Sequence, residues 1–283
     1  MPIARERGKM IFRKMERDLL RLSSQQEAEN VHSFRTTTRR LQTLLDLIPA
    51  RHRNQKKLLK MLERIRRRAG KVRDIDVQLA ALRSLKVPLE PRRKTQLMQR
   101  LIEVRAEDEK KLKKLLKTSN LRELRKRLRR AAREIHFDSI RDPLVLARQA
   151  LESALPADGA LTDESLHHCR LAVKRARYAA EFAPKSAEST QFMVQLKGLQ
   201  DTLGSWHDWL TLTDTAMAQF GEVNQSALVA ALHNVTRGKF RQAAVSVAAL
   251  RDQNASRRAK IVERSRKTGA QSSSAAARVP SAA

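Results

Sequence analysis

Two short runs of the 283-residue sequence carry the same side-chain chemistry at the same spacing: His32, Arg35, Arg39 and Arg40 recur as His167, Arg170, Lys174 and Arg175, with Arg177 two residues further on. Guanidinium groups offer bidentate hydrogen bonds to phosphate oxygens, and a lysine adds a mobile point charge. At about 100° per residue, Arg35 and Arg39 lie within roughly 60° of His32 on one helix face. Phe34, Leu41, Leu45 and Ile48 fall on the opposite face. In the second run His167, Arg170, Lys174, Arg177, Tyr178 and Glu181 share the first face, and Cys169, Ala176, Ala180 and Ala183 share the other. Each run therefore predicts an amphipathic helix with a histidine centred in a basic stripe. Imidazole also coordinates metals and titrates near neutrality. No HExxH motif is present and no second histidine stands one turn from His32 or His167. In a cationic surround the spacing favours a hydrogen bond to phosphate or to a neighbouring carboxylate.

A second element repeats downstream. Gly70, followed by Asp74, corresponds to Gly204, followed by Asp208; His32 precedes Gly70 by 38 positions and His167 precedes Gly204 by 37. Two elements at nearly one separation argue for a duplicated helical unit. Each glycine reads as the end of a helix and each aspartate as the cap of the next. The alternative is that the aspartates pair with the basic stripe and fix its rotamers. Between the repeated elements, Arg53, Lys57, Lys60, Arg64, Arg67 and Lys71 line one side of a helix whose other side is Leu58, Leu62, Ile65 and Ala69. From Arg51 to Arg73 eleven basic residues face one acidic residue, Glu63. Ordinary solvated faces mix signs, and like charges one turn apart cost stability, so this row reads as a binding surface together with the histidine-bearing helices. Lys110 to Arg133 holds twelve basic residues and one acidic, Glu123; it either extends that track or forms a separate basic surface for nucleic acid.

The elements that must position these residues are helices throughout. Apolar residues recur at three-and-four spacing, and only 8 Gly and 8 Pro leave few turns for strands, so the fold is expected to be all-α. Breaks are expected at Pro49, Gly70, Pro88 with Pro91, residues 135–143, Pro156 with Gly159, Pro184, Gly204 and Gly221, giving about ten helices. The helical domain is expected over 1–262, in halves of about 1–137 and 138–262. Residues 263–283, small and polar without periodicity, are expected to be a disordered tail.

Lys and Arg number 59 against 30 Asp and Glu, a net charge of +29, which makes a phosphate polymer the obvious partner. Aromatic residues are only 4%, too few to stack successive bases, so backbone charge is what such a chain reads. The single cysteine, Cys169, excludes an intramolecular disulfide and a cysteine-rich zinc site and points to a cytoplasmic location. No stretch approaches the roughly 18 apolar residues of a membrane span. GxxxxGK[ST], GxGxxG and GxSxG are absent, so nucleotide hydrolysis, dinucleotide redox chemistry and serine hydrolysis lack their parts.

At VHSFRTTTRRLQTLL, RRRAGKVRDIDVQLAAL, LHHCRLAVKRARYAAEF and LKGLQDTLGSWHDWLTL, in that order, the sequence resembles the CHAD family of histidine-bearing α-helical domains. The resemblance implies two four-helix bundles related by a pseudo-twofold, a basic central surface that binds inorganic polyphosphate, and association with polyphosphate granules. By position it implies binding roles for His32, Arg35, Arg39 and Arg40 and for His167, Arg170, Lys174, Arg175 and Arg177, joined by Arg73 and Lys197. Gln42 departs from the pattern: the family commonly has an arginine there, as the second copy does at Arg177. The triphosphate-tunnel domain that often precedes the family in longer chains has no room here, and its ExExK-type signature is absent. The resemblance thus implies a binding module without chemistry or cofactor of its own.

The first expectation is accordingly a polyphosphate-binding protein. A sequence-independent nucleic-acid binder is the alternative, with weak nucleic-acid binding expected in either case. A metal-dependent phosphohydrolase using His32 and His167 is the third reading.

Overall fold

The helix period of Leu58, Leu62, Ile65 and Ala69 is realised in full: all four are buried on one side of a 32-residue helix. A computed structural model describes residues 2–48, 53–135, 141–156 and 161–276, and among these it is all-helical. In chain order the helices are α1 (Pro2–Ser24), α2 (Ala28–Asp46), α3 (Arg53–Ser84), α4 (Pro91–Leu115) and α5 (Thr118–Glu134), then α6 (Pro143–Glu152), α7 (Asp163–Ala180), α8 (Ala187–Phe220) and α9 (Ala227–Ala276). A 3-10 turn, Val223–Gln225, precedes α9.

Local chemistry accounts for most boundaries. Thr162 with Ser165 and Ser186 with Ser189 form reciprocal capping boxes at the starts of α7 and α8. Asp142 accepts from the amides of Leu144 (2.8 Å) and Val145 (3.2 Å) ahead of Pro143, the first residue of α6. Gly221 ends α8 at φ 85°, a backbone conformation that glycine adopts without strain. The start of α9 is capped from a distance: Glu90 Oε2 accepts from Ser226 Oγ (2.7 Å) and the Leu228 amide (3.0 Å).

Two expected breaks do not occur. α3 runs unbroken through Gly70 and α8 through Gly204, so Asp74 and Asp208 lie inside helices and cap nothing. A mid-helix glycine costs about 1 kcal/mol, which the buried apolar faces of these long helices outweigh. Breaks occur at Pro88 with Pro91, at Pro184 and at Gly221. Those expected at Pro49, within 136–140 and at Gly159 lie outside the described residues. α9 carries helix to Ala276, into the segment expected to lack regular structure; residues 277–283 lie outside the described residues.

α1 packs on α2, α2 on α3 and α3 on α4; α6 on α7, α7 on α8 and α8 on α9 repeat that order. α5, packed on α1 and α3, has no counterpart in the second series, so five described helices stand against four. The series meet where α2 touches α7 and α3 touches α8. Three apolar clusters result. One surrounds Phe34, Leu41, Leu62 and Leu124. Another surrounds Cys169, Val173, Leu203 and Trp206. The third joins Leu79, Leu82 and Leu97 to Leu212, Leu228 and Leu232. That shared cluster explains the lengths of α3 and α8, about 48 and 51 Å at 1.5 Å per residue: the first part of each helix serves its own series and the last part the junction. Phe34 is fully buried, which stabilises by about 1.5–3 kcal/mol.

Candidate polyanion-binding site

The contact of α2 with α7 sets the two histidine-bearing stripes against each other, with α3 and α8 flanking them. Burial of Phe34 and Leu41 on one side of α2, and of Cys169, Val173 and Ala176 on one side of α7, turns Arg35, Arg39, Arg170 and Lys174 toward the junction. α3 contributes Gly70 and Asp74. Arg35 Nη1 donates to the Gly70 carbonyl and to Asp74 Oδ1, each at 3.1 Å. Asp74 thus takes the pairing role weighed for it in the sequence.

Arg39, Arg170 and Lys174 are half-buried, and among the described residues none of them forms an ion pair. Burial lowers the Arg39 guanidinium below its ordinary value, with Arg35 and Arg175 pressing the same way and Tyr178 and Asp74 opposing. Burial likewise lowers Arg170, reinforced by Arg39 and Arg35 and opposed by Asp208 and Asp74. The Lys174 ammonium is pushed down to about 7, first by burial, then by Arg170 and Arg39. Asp208 lines an open recess between α3, α7 and α8 together with Arg170 and Lys174; burial raises its carboxyl, with those two cations opposing. Cations are being held together, partly out of water, without matching anions; such an arrangement favours an incoming polyanion.

Arg66 and His207 belong to this cluster and were not among the expected residues. Arg66 lies one turn before Gly70; burial and then Arg39 and Arg35 lower its guanidinium, against Glu63, whose Oε1 is 3.7 Å away. Its Nε is buried without a hydrogen-bond partner, as are Arg170 Nε and His207 Nδ1. The His207 and His167 rings stand 5.4 Å apart, centroid to centroid. Burial pushes His207 down to about 3, with Arg170 and His167 adding to it. His167 is lowered by burial and by Arg170, and His32, though exposed, by partial withdrawal of its ring and by Arg73. The His207 imidazole is therefore neutral near pH 7 in the free protein, and His32 and His167 are shifted towards the neutral form, in which an imidazole donates one hydrogen bond. A signal for His207 and Asp208 existed in the repeat: three and four residues after Gly204, they match Arg73 and Asp74 after Gly70.

The remaining expected residues separate from the cluster in instructive ways. Arg73 is half-buried on the site-facing side of α3, its charge bearing on His32 and Asp208. Arg40 is engaged elsewhere: its Nε and Nη2 donate to Glu181 Oε2 (2.6 Å) and Oε1 (3.1 Å). Arg177 reaches the same carboxylate at 3.2 Å and lies over the Tyr178 ring. Arg175 is exposed and faces a groove between α6 and α7 beside His168. Lys197 is exposed and paired with Asp201. Lys60, Arg64 and Arg67 line a shallow groove between α3 and α4 with Lys111, and Lys57 is exposed in the same row, about 100–180° round the helix from Arg66. The central cluster and the richest basic row are thus on different sides of α3. Cys169 is buried and donates to the Ala154 carbonyl (3.2 Å), and burial raises its thiol. Among the described residues there is no group of three or more His, Cys, Asp or Glu side chains able to hold a metal ion, and no helix is long and apolar enough to cross a membrane.

Comparison with known proteins now bears on this geometry. The crystal structure of the CHAD domain from the plant Ricinus communis superposes with a TM-score of 0.63 at 18% identity, covering 87% of this chain and 88% of that one. PptA from Streptomyces chartreusis superposes with a TM-score of 0.59 at 15% identity, covering 87% of this chain and 99% of that one. At such identities the likeness is one of fold. A comparison with curated proteins returns no match. The family model for the CHAD domain matches residues 11–217, from α1 to the last turn of α8, and so takes in every residue of the central cluster: the chain belongs to the CHAD domain family.

Proposed function

We propose that the protein binds inorganic polyphosphate at the junction of α2, α3, α7 and α8. The carrying observation is the half-buried set Arg39, Arg66, Arg170 and Lys174, in which Glu63 stands 3.7 Å from Arg66 while the other three form no ion pair among the described residues. A linear phosphate chain is thin enough for a recess between helices, carries a charge at every unit, and brings no base or sugar to accommodate. Arg35, already tethered by Gly70 and Asp74, presents its guanidinium with little rotamer entropy left to lose. His32 and His167 donate hydrogen bonds to phosphate oxygens at the rim. Membership of the CHAD family supports the reading, as does the chain's +29 charge. Binding needs no cofactor and no reaction. Association with polyphosphate granules in the cytoplasm follows as the cellular counterpart of the proposal.

Calorimetric titration with long-chain polyphosphate tests it. Affinity should fall steeply with salt as counterions are released. Arg39→Glu with Lys174→Glu should abolish binding while helicity stays intact; unchanged affinity in the folded double variant removes the site.

A further inference from the structure

The basic segment Lys110–Arg133 is not absorbed by the central cluster. Its second part is α5, the helix without a counterpart in the second series, and its charge belongs to a wider asymmetry. Residues 1–140 hold 40 Lys and Arg against 17 Asp and Glu, whereas residues 141–283 hold 19 against 13. α5 buries Leu124, Leu128 and Ala131 against α1 and α3 and turns Arg122, Lys126, Arg129 and Arg133 outward, all four exposed. At about 100° per residue these four fall within a stripe of roughly 60°, about 16 Å long. Arg129 is held at 3.0 Å by Glu16 of α1, while Arg122, Lys126 and Arg133 form no ion pair among the described residues. With Leu20 of α1 and Arg125, the stripe borders an open, shallow groove.

We infer that this outer face of α5 is a docking surface for duplex nucleic acid, held through its phosphate backbone and distinct from the central site. Charge complementarity and shape select that occupant. The stripe is an exposed ridge with one cation per helical turn; a flexible phosphate chain would have to order itself along sparse contacts, whereas a duplex arrives already ordered. α5 contains no aromatic residue on which single-stranded bases could stack. Its apolar side faces the core, and only Leu20 and half-buried Leu121 reach the groove beside the stripe, too little apolar surface to anchor in a lipid interface. The contacts go to phosphates alone and carry no sequence preference. With the proposed central site, the surface lets one molecule hold polyphosphate and a duplex together.

The test uses the full chain and anisotropy of a labelled DNA duplex across a salt series. Arg122→Glu with Lys126→Glu and Arg133→Glu should weaken duplex binding about tenfold or more and lower the salt-dependence slope by about 2.5–3, the share of three phosphate contacts. Polyphosphate affinity should stay within about twofold, since the central cluster is untouched. Reversing three other exposed cations, Arg83, Lys86 and Arg92, matches the change in net charge and should have a much smaller effect. Unchanged duplex affinity and slope in the α5 variant overturns the proposal. So does loss of duplex binding in the central double variant alone, which would place the duplex at the other site. Equal loss of polyphosphate and duplex binding in the α5 variant makes the surface a polyphosphate site instead. If the reversal variant does not fold, Arg122→Gln with Lys126→Gln and Arg133→Gln carries the same comparison.

Discussion

Arg40 of α2 grips Glu181, the residue that ends α7, through two parallel hydrogen bonds of 2.6 and 3.1 Å. Around this pair the two helical series are fastened. Arg7 Nη1 donates to the carbonyls of Glu181 (2.6 Å) and Ala183 (3.0 Å), and Phe182 inserts into the apolar cluster of the first series. Glu181 therefore fixes the relative placement of α2 and α7, on which the recess depends.

With its guanidinium held by Glu181, Arg40 should act as a fastener more than as a ligand contact. Glu181→Ala should destabilise the fold by about 1–3 kcal/mol, because it leaves two guanidinium groups without their shared acceptor. Arg40→Ala should cost less stability and lower polyphosphate affinity far less than Arg39→Ala. Urea denaturation and titration of the same variants check both statements; equal affinity losses for Arg39→Ala and Arg40→Ala would return Arg40 to the binding set.

Function and stability should oppose each other at the central cluster. Arg39→Met or Arg66→Met removes a half-buried cation that its neighbours repel, so the free protein should melt higher by a few degrees, corresponding to about 0.5–1 kcal/mol. Each change should weaken polyphosphate binding by about tenfold, the loss of one charge-assisted contact. Melting curves with and without polyphosphate show both effects in one experiment, since ligand raises the melting temperature only of binding-competent variants.

The pH dependence should trace to Lys174. In the unfolded chain its amine has the ordinary value of 10.5, against about 7 in the folded protein. Between those values the unfolded state binds more protons, so the free protein gains stability as pH rises from about 7 towards 10.5. Below about 7 Lys174 is protonated in both states and its contribution is flat. A bound polyanion restores the ammonium, so binding takes up a proton above about 7 and affinity declines with pH, by at most about tenfold per unit. Lys174→Arg stays charged and should lose that slope. Titrations in buffers of different ionisation enthalpy measure the proton uptake directly; full uptake in Lys174→Arg would assign it to another group.

Gly204 sits inside α8 with nothing within 4 Å of where a Cβ would stand. Gly204→Ala should therefore stabilise by about 0.5–1 kcal/mol, read as a higher denaturation midpoint. At Gly70 a Cβ would meet Arg35 Nη2 at 3.7 Å, an ordinary contact, so Gly70→Ala should gain less if the guanidinium shifts.

How much of this was legible in the sequence depended on whether the signal was local. The duplicated stripes were, because side chains three and four apart share a helix face whatever the tertiary fold: Arg35 and Arg39 share a face of α2 and Arg170 and Lys174 a face of α7 as their spacing implied, and the fold brings these two pairs within electrostatic reach of each other. The site-facing side of α3 was not. Charge density drew attention to Lys57, Lys60, Arg64 and Arg67, whereas the side that meets α2 is marked by Gly70, where Arg35 lands, and carries Arg66. Gly70 and Gly204 read as breaks because local propensity disfavours them mid-helix, and only the apolar cluster shared by α3 and α8 shows why the helices continue. The engagement of Arg40 was equally hidden, since Glu181 stands 141 residues away.

The most direct test of the central claim is titration of the purified protein with long-chain polyphosphate at near-physiological salt, in the presence of excess duplex DNA and RNA. The α2–α3–α7–α8 junction predicts that polyphosphate binds with affinity little changed by either competitor and lost in the folded Arg39→Glu, Lys174→Glu variant. Displacement of polyphosphate by the nucleic acids, with the double variant behaving as the parent, would contradict it.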